Sequence, residues 1–293
     1  MAFQFSFDAI GTKWVIDIYD DVPAEKAAGI EARVTECIRQ FDERYSRFRA
    51  DSWINAIASK PGTYDLPDDA FPLFSLYKEM YDISGGLVTP LIGQALVDAG
   101  YDSQYSFTQK KPLEEPPAWD EALVLSPASI TILKPVHIDV GALGKGYLID
   151  IVGALIAGMG VAGYCVDAGR DILHKDPSGK ALEVGLEHPE DFSKVIGKAV
   201  LRSESIAGSA GNRRSWGAFT HIINPKTLSS PTDILALWAI ADTALLADAL
   251  STALFFVPAA ALAEKYKFRY VILHSDHSAE WSQGPGDMIE LYA

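Results

Sequence analysis

The sequence predicts an α+β fold, with strands and helices mixed and no regular β-α-β alternation of the kind a doubly wound sheet needs. Three observations carry this reading. Strand pairs open and close the chain, segments of helical period interrupt them, and residues 170–222 form a meander of short strands with polar turns.

Residues 3–8 and 12–20 read as two strands around Gly11, with Trp14, Ile16 and Ile18 alternating against polar neighbours. Pro23 opens a helix over 24–49, in which Ile30, Val34, Cys37, Ile38, Phe41 and Tyr45 recur at helical spacing. A second helix spans 68–84 and stops at Gly85-Gly86. From Tyr101 to Trp119 the chain is rich in Pro, Lys and Glu without periodicity, which marks an irregular excursion. Strands over 121–125 and 130–139 follow, then a glycine-rich turn, a helix to Gly158 and a strand over 164–166. After the meander, a strand at 235–240 leads to Asp242, the expected N-cap of a helix that runs to Phe256 and stops at Pro258. A helix over 259–266 and two strands finish the chain, and no internal repeat is visible.

Composition narrows the function classes. A chain of 293 residues, 48% hydrophobic and 22% charged, is that of an ordinary globular protein. A formal charge of −14 argues against nucleic acid and anionic membrane surfaces as partners, yet leaves room for a local cation site. The two cysteines, Cys37 and Cys165, lack metal-binding spacing and read as reduced core residues. Residues 1–8 carry no basic region, apolar run or cleavage site, and no stretch approaches the roughly 18 apolar residues of a membrane span. The expectation is a cytoplasmic chain with no membrane insertion.

Two motif-like strings fail on context. Gly158-x-Gly160-x-x-Gly163 has dinucleotide-binding spacing, but it ends a helix and enters a strand, the reverse of what pyrophosphate binding requires. Gly144-Lys145 resembles the end of a P-loop, but Gly146 stands where Ser or Thr should be.

Three segments survive. Asp139-Val140-Gly141-Ala142-Leu143-Gly144-Lys145-Gly146-Tyr147 joins a strand end to a helix start through glycines, which suits either a phosphate cradle or close helix–sheet packing. In Ala247-Asp248-Ala249-Leu250-Ser251-Thr252, Asp248 and Thr252 share one face of an otherwise apolar helix, with Ser251 beside them. A carboxylate there needs a partner, either a hard cation such as magnesium or the hydroxyl one turn away. Thr220-His221-Ile222-Ile223-Asn224-Pro225 is a strand running into a turn, and its histidine is either structural or catalytic.

Taken together and in order, these segments resemble the ApbE family, the FAD:protein FMN transferases. Ile10-Gly11-Thr12 is similar to the family's Met-Gly-Thr. Ser46-Arg47-Phe48-Arg49-x-x-Ser52 is similar to its Ser-Arg-aromatic segment, and Gly85-Gly86-Leu87-Val88-Thr89-Pro90 to its Gly-Gly loop. The Asp139–Tyr147 string, His221 to Pro225 and Asp248-x-x-Ser251-Thr252 match its most specific motifs.

The resemblance implies two interlocked mixed α/β lobes with the flavin nucleotide site between them, built by residues 1–293 as one domain. It implies that Ile10, Phe48, Leu87, Val88, Thr89, Asp139, Lys145 and Ile222 contact FAD. Magnesium would be held by Asp248, Thr252, Ser251 and the Ala142 carbonyl. The implied reaction moves FMN from FAD to a Thr or Ser hydroxyl of an acceptor flavoprotein and releases AMP. His221 would be the general base or hydroxyl positioner, with Lys145 steadying the phosphates. No acceptor-like Asp-x-x-(Ser/Thr)-Gly-Ala-(Ser/Thr) segment occurs in the chain, so the acceptor would come in trans. Hydrolysis of FAD by water, or FAD carriage without chemistry, are the alternatives.

The chain departs from the family pattern at several positions. Asn224 and Thr89 stand where Asp is usual, and Ile10 where Met is. Arg170 occupies a position where a Gly-Gly pair is common, and the usual Ala-Thr-Ser-Gly is altered around Ser205 to Gly211.

Overall fold

The computed structural model describes residues 3–283 and 288–292, so Met1 and Ala2 of the N-terminal segment lie outside it. The chain opens with the hairpin β1 (Phe3–Ala9) and β2 (Thr12–Ile18), followed by α1 (Ala24–Tyr45), α2 (Trp53–Ala58), β3 (Gly62–Asp65) and α3 (Ala70–Ile83). Next come α4 (Gly93–Ala99), α5 (Trp119–Ala122), β4 (Leu123–Leu125), β5 (Ser129–Ile132), α6 (Gly144–Gly158), β6 (Tyr164–Ala168) and β7 (Asp171–Lys175). The meander contains β8 (Leu182–Glu187), β9 (Val195–Leu201), β10 (Ser205–Ala210), β11 (Ser215–Trp216) and β12 (Phe219–Thr220). The chain continues through β13 (Ile234–Ala241), α7 (Ala244–Ala253), α8 (Ala259–Ala263), β14 (Arg269–His274), β15 (Ala279–Trp281) and β16 (Ile289–Leu291).

Among the described residues the largest sheet has eight strands, in the order β1-β2-β6-β7-β10-β13-β14-β15. Every neighbouring pair in it is antiparallel. Helices α1, α6 and α7 cover one face, where Trp14, Ile16, Ile18, Val166, Leu173, Ala207 and Ala239 meet Ile30, Val34, Leu148, Ile149, Val152 and Leu250. Strand residues of the opposite parity, Cys165, Ile172, Ile206, Ile240 and Val271, face the other way. There they pack on Leu186, Ala199 and Leu201 of a three-stranded sheet, β16-β9-β8. The architecture is α+β, with helices on one face of an antiparallel sheet and a smaller sheet on the other. Both cysteines are free thiols.

The differences from the sequence reading have local causes. Helix α1 ends at Tyr45, because Ser46 turns extended and the following loop is drawn inward by Arg47. The strand expected over 130–139 stops at Ile132, two residues short of Lys134-Pro135, since proline offers no N–H to a ladder. Residues 119–122 form one helical turn before β4. Helix α7 is capped by Thr243 in place of Asp242, the Thr243 hydroxyl accepting from the Leu246 amide at 3.2 Å. The short α2, β3 and α4 went unread, being too brief to show a period. As expected, α6 ends at Gly158, and Gly160 takes φ +75° on the way to β6.

Close approach of α6 and α7 places the rest. A Cβ on Gly146 would lie 2.1 Å from the Ala244 carbonyl oxygen and 2.6 Å from the Asp248 Cβ. Asp150 on α6 fixes the same contact by accepting the Ala244 and Leu245 amides of α7 at 2.9 and 2.8 Å. Gly146→Ala is therefore expected to cost about 1–3 kcal/mol by overpacking. Gly158→Ala, whose Cβ would meet nothing within 4 Å, should be neutral or slightly stabilising. Thermal denaturation of the two variants checks this, and equal melting temperatures would refute the packing role of Gly146.

Candidate functional site

A cleft of about 760 Å³ opens where the loop leading into α6 meets the inner strands β7, β10 and β13 of the sheet. That volume is typical of a small-molecule site. Its walls include Ile10, Phe48, Leu87, Val88, Thr89, Asp139, Ala142, Lys145, His221, Ile222, Asp248 and Thr252. The sequence segments singled out above thus converge on one space. Ser251 is the exception, being fully buried, with its hydroxyl donating to the Asp248 carbonyl and paired with Ser209 Oγ, both at 2.9 Å.

Asp248 is only 5% exposed. Its Oδ2 accepts the Gly146 amide at 2.8 Å, a bond available only because Gly146 lacks a side chain. Burial, then the nearby charge of Asp171, pushes the Asp248 carboxyl well above the usual carboxylate range. One turn along, the Thr252 hydroxyl lies 3.4 Å from the Ala142 carbonyl oxygen. A carboxylate and, one helical turn along, a hydroxyl beside a carbonyl therefore line the same cleft, a set of hard oxygens of the kind that suits a small divalent cation. Among the described residues no three His, Cys, Asp or Glu side chains cluster to hold a metal, so any cation here would depend on this mixed set together with water and ligand oxygens.

Lys145 lies in the first turn of α6, its side chain about one third exposed (32%), with Nζ 2.5 Å from Asp171 Oδ2. Burial alone would lower its ammonium, but Asp171 and then Asp248 outweigh that and hold it above its ordinary value.

Asp139 anchors the opposite wall. Its Oδ1 accepts the Gly141 amide at 2.6 Å, its own amide donates to the Pro90 carbonyl at 2.7 Å, and its Oδ2 pairs with Arg47. Arg47 also donates to the Tyr101 carbonyl at 2.7 Å and lies 4.1 Å over the Phe48 ring. Tyr101 in turn bonds Arg214 through its hydroxyl. Arg47 stood within the quoted Ser46–Ser52 segment without a role, and Tyr101 and Arg214 gave no sequence signal. Each gains its partner across more than 50 residues of chain.

His221 is tied by its backbone amide to the Arg214 carbonyl at 3.1 Å, while its Nδ1 is buried with no hydrogen-bond partner among the described residues. Burial, then the Arg214 and Lys145 charges, lowers the imidazole from 6.5 to about 4. At neutral pH it is therefore an uncharged base facing the cleft.

Several departures from the family pattern have a local account. Thr89 Oγ1 accepts the Leu91 amide at 3.2 Å, capping the turn an Asp would cap. Asn224 Oδ1 accepts the Lys226 and Thr227 amides at 2.9 and 3.1 Å, an Asx turn that Asp would make equally. Ile10 takes φ +43° and Gly11 φ +75° in the two-residue hairpin turn, so a β-branched side chain is held in a strained conformation at the cleft wall. Arg170, at φ +79°, pairs with Glu187 across the cleft mouth.

Comparison with known proteins adds an independent line. The sequence profile of the ApbE family matches residues 10–272. A Haemophilus influenzae protein named FAD:protein FMN transferase is 27% identical over 158 residues, which cover 50% of this chain and 46% of that protein. The chain thus spans about half that relative's length. One of the same name from Treponema pallidum is 24% identical over 282 residues, 84% of this chain and 76% of its own. The crystal structure of an ApbE protein from Thermotoga maritima superposes with a TM-score of 0.85 at 19% identity, over 97% of both chains, a likeness of fold.

Because Arg47 and Asp139 are nearly buried, at 6% and 12% side-chain exposure, removing one strands the other. Arg47→Met is expected to destabilise the protein by about 3–5 kcal/mol. Chemical denaturation reads this directly, and a loss below about 1 kcal/mol would mean the pair is solvated like a surface bridge.

Proposed function

The chain belongs to the ApbE family, and from that premise we propose that it is a magnesium-dependent FAD:protein FMN transferase acting on a Thr or Ser hydroxyl of an acceptor protein. The observation that carries the reading is the convergence of Lys145, His221, Asp248, Thr252 and the Ala142 carbonyl on one cleft. Residues 1–293 are taken as one catalytic unit, with FAD as substrate and the acceptor supplied in trans.

In this reading Asp248, Thr252 and the Ala142 carbonyl hold the cation, with Ser251 bracing Asp248 from behind through its backbone carbonyl. Bound there, magnesium would neutralise charge that develops on the FAD diphosphate. Lys145 sets a positive charge against the same phosphates. The acceptor hydroxyl oxygen forms a bond to the FMN phosphorus as the bond between the two phosphates breaks, and AMP leaves with the bridging oxygen. His221 accepts the hydroxyl proton, a role that its lowered pKa leaves open by keeping the imidazole unprotonated at neutral pH. Ile10, Phe48, Leu87, Val88, Thr89, Asp139 and Ile222 shape the remaining wall and exclude water from the reacting phosphorus.

Incubation with FAD, magnesium and a protein bearing an acceptor Thr or Ser, followed by separation of AMP, FMN and FAD, tests the reading. The expected outcome is slow AMP release alone, faster release with acceptor, and FMN left covalently attached. Fast acceptor-independent release of free FMN would make the protein a hydrolase, and intact FAD after long incubation a carrier. Asp248→Ala should reduce AMP release by at least about a hundredfold, and Thr252→Ala by less, since water can replace a neutral hydroxyl.

His221 also sets a pH signature. A histidine whose pKa is lowered on folding contributes stability above its unfolded value of 6.5, and that contribution is lost as pH falls through the folded value of about 4. With magnesium saturating, AMP release should thus change less than about twofold between about pH 8 and 6 on account of this group. His221→Ala should lower the rate by about 10²–10⁴-fold throughout. An acid limb centred near the ordinary histidine value, absent from His221→Ala, would contradict the buried neutral imidazole.

A further inference from the structure

Asp171 is a buried carboxylate just behind the cleft wall, between the lining residues Arg170 and Ile172, and no part of the proposed chemistry uses it. It is 2% exposed and begins β7, directly after the left-handed pair Gly169 (φ +65°) and Arg170 (φ +79°). Its Oδ1 accepts the Gly208 amide of β10 at 3.1 Å, so one side of the carboxylate is fixed to the sheet. Its Oδ2 lies 2.5 Å from Lys145 Nζ, at the start of α6. The carboxylate therefore spans sheet and helix, and it pairs with the lysine that faces the cleft.

Lysine is a point charge on a flexible stem, and its position is set by whatever holds the head group. Two buried carboxylates compete for this one. Asp248 accepts the amide of Gly146, the residue next to Lys145, and so lies close beside it. If Lys145 folded onto Asp248 it would neutralise the carboxylate on which the oxygen-donor site depends. Asp171 approaches from the sheet and holds the ammonium directly, its Oδ2 2.5 Å from Nζ.

Resting on the FAD reading above, we infer that Asp171 is a positioning residue, which anchors the Lys145 ammonium to the sheet and so holds it against the diphosphate of bound FAD. Asp171 touches neither substrate nor cation in this assignment and acts through Lys145 alone. A purely structural ion pair would stabilise the fold without tuning ligand affinity, and that difference is measurable.

The test is a double-mutant cycle on FAD affinity, read by flavin fluorescence in magnesium-containing buffer. It compares the wild type, Asp171→Asn, Lys145→Gln and the double variant. Asp171→Asn keeps the shape and an oxygen for the Gly208 amide, and is expected to weaken FAD binding about tenfold. Lys145→Gln should weaken it at least as much, and the double variant no further than Lys145→Gln alone. Asp171→Glu, which returns the charge one methylene away, should recover part of the loss, as restored packing alone would not. If Asp171→Asn does not fold, Asp171→Glu takes its place in the cycle, with a loss of about threefold expected. Affinity unchanged in whichever Asp171 variant is used, or losses that multiply in the double variant, would overturn the inference while FAD still binds the wild type. Wild-type protein that fails to bind FAD would overturn the FAD reading and this inference together.

Discussion

The candidate site depends on the approach of α6 to α7 at Gly146. Only a residue without a side chain lets the α6 backbone come near enough for its amide to reach Asp248, and Asp150, one turn along α6, locks the contact by accepting the first amides of α7. From that contact follow the depth of Asp248, the placing of Thr252 beside the Ala142 carbonyl, and the direction in which Lys145 leaves the helix. The apolar faces of both helices, pressed on the sheet by Leu148, Val152 and Leu250, keep the approach from relaxing.

A second constraint is charge. The chain carries a formal −14, yet its cleft is lined by Arg47, Lys145, Arg170 and Arg214. Arg47 answers Asp139, Lys145 answers Asp171, and Arg170 answers Glu187. Pairing of this kind fixes long side chains in place and lowers the cost of burying them. It also lets an acidic protein present ordered positive groups to an anionic ligand, with the net charge acting as a barrier to bulk polyanions.

The departures from the family pattern separate chemistry from scaffolding. Thr89 and Asn224 replace a carboxylate by another oxygen acceptor at positions where the oxygen caps backbone amides, so the local turn survives the change. Asp248 and Thr252, where charge and oxygen geometry count for the proposed cation, are unaltered. Ile10 is different, since a β-branched residue at φ +43° costs more than the methionine it stands for, and the hairpin register holds it there.

The sequence by itself determined the α+β class, the opening hairpin and the helices α1, α3, α6 and α7, and its resemblance to the family pointed to many of the residues that line the cleft. These are signals of period, cap and local motif, carried by neighbours along the chain. It overran α1 into residues 46–49 and the strand after Ile130 into residues 133–139, because inward pull by Arg47 and the effect of Pro135 on a ladder appear only when partners are in place. The tertiary structure alone decided that Arg47 pairs with Asp139, that Tyr101 and Arg214 close the same wall, that Ser251 turns away from the cleft, and that Asp171 claims Lys145. Those contacts join residues from 26 to 113 positions apart in sequence, and a buried charge takes whichever partner the fold brings within reach.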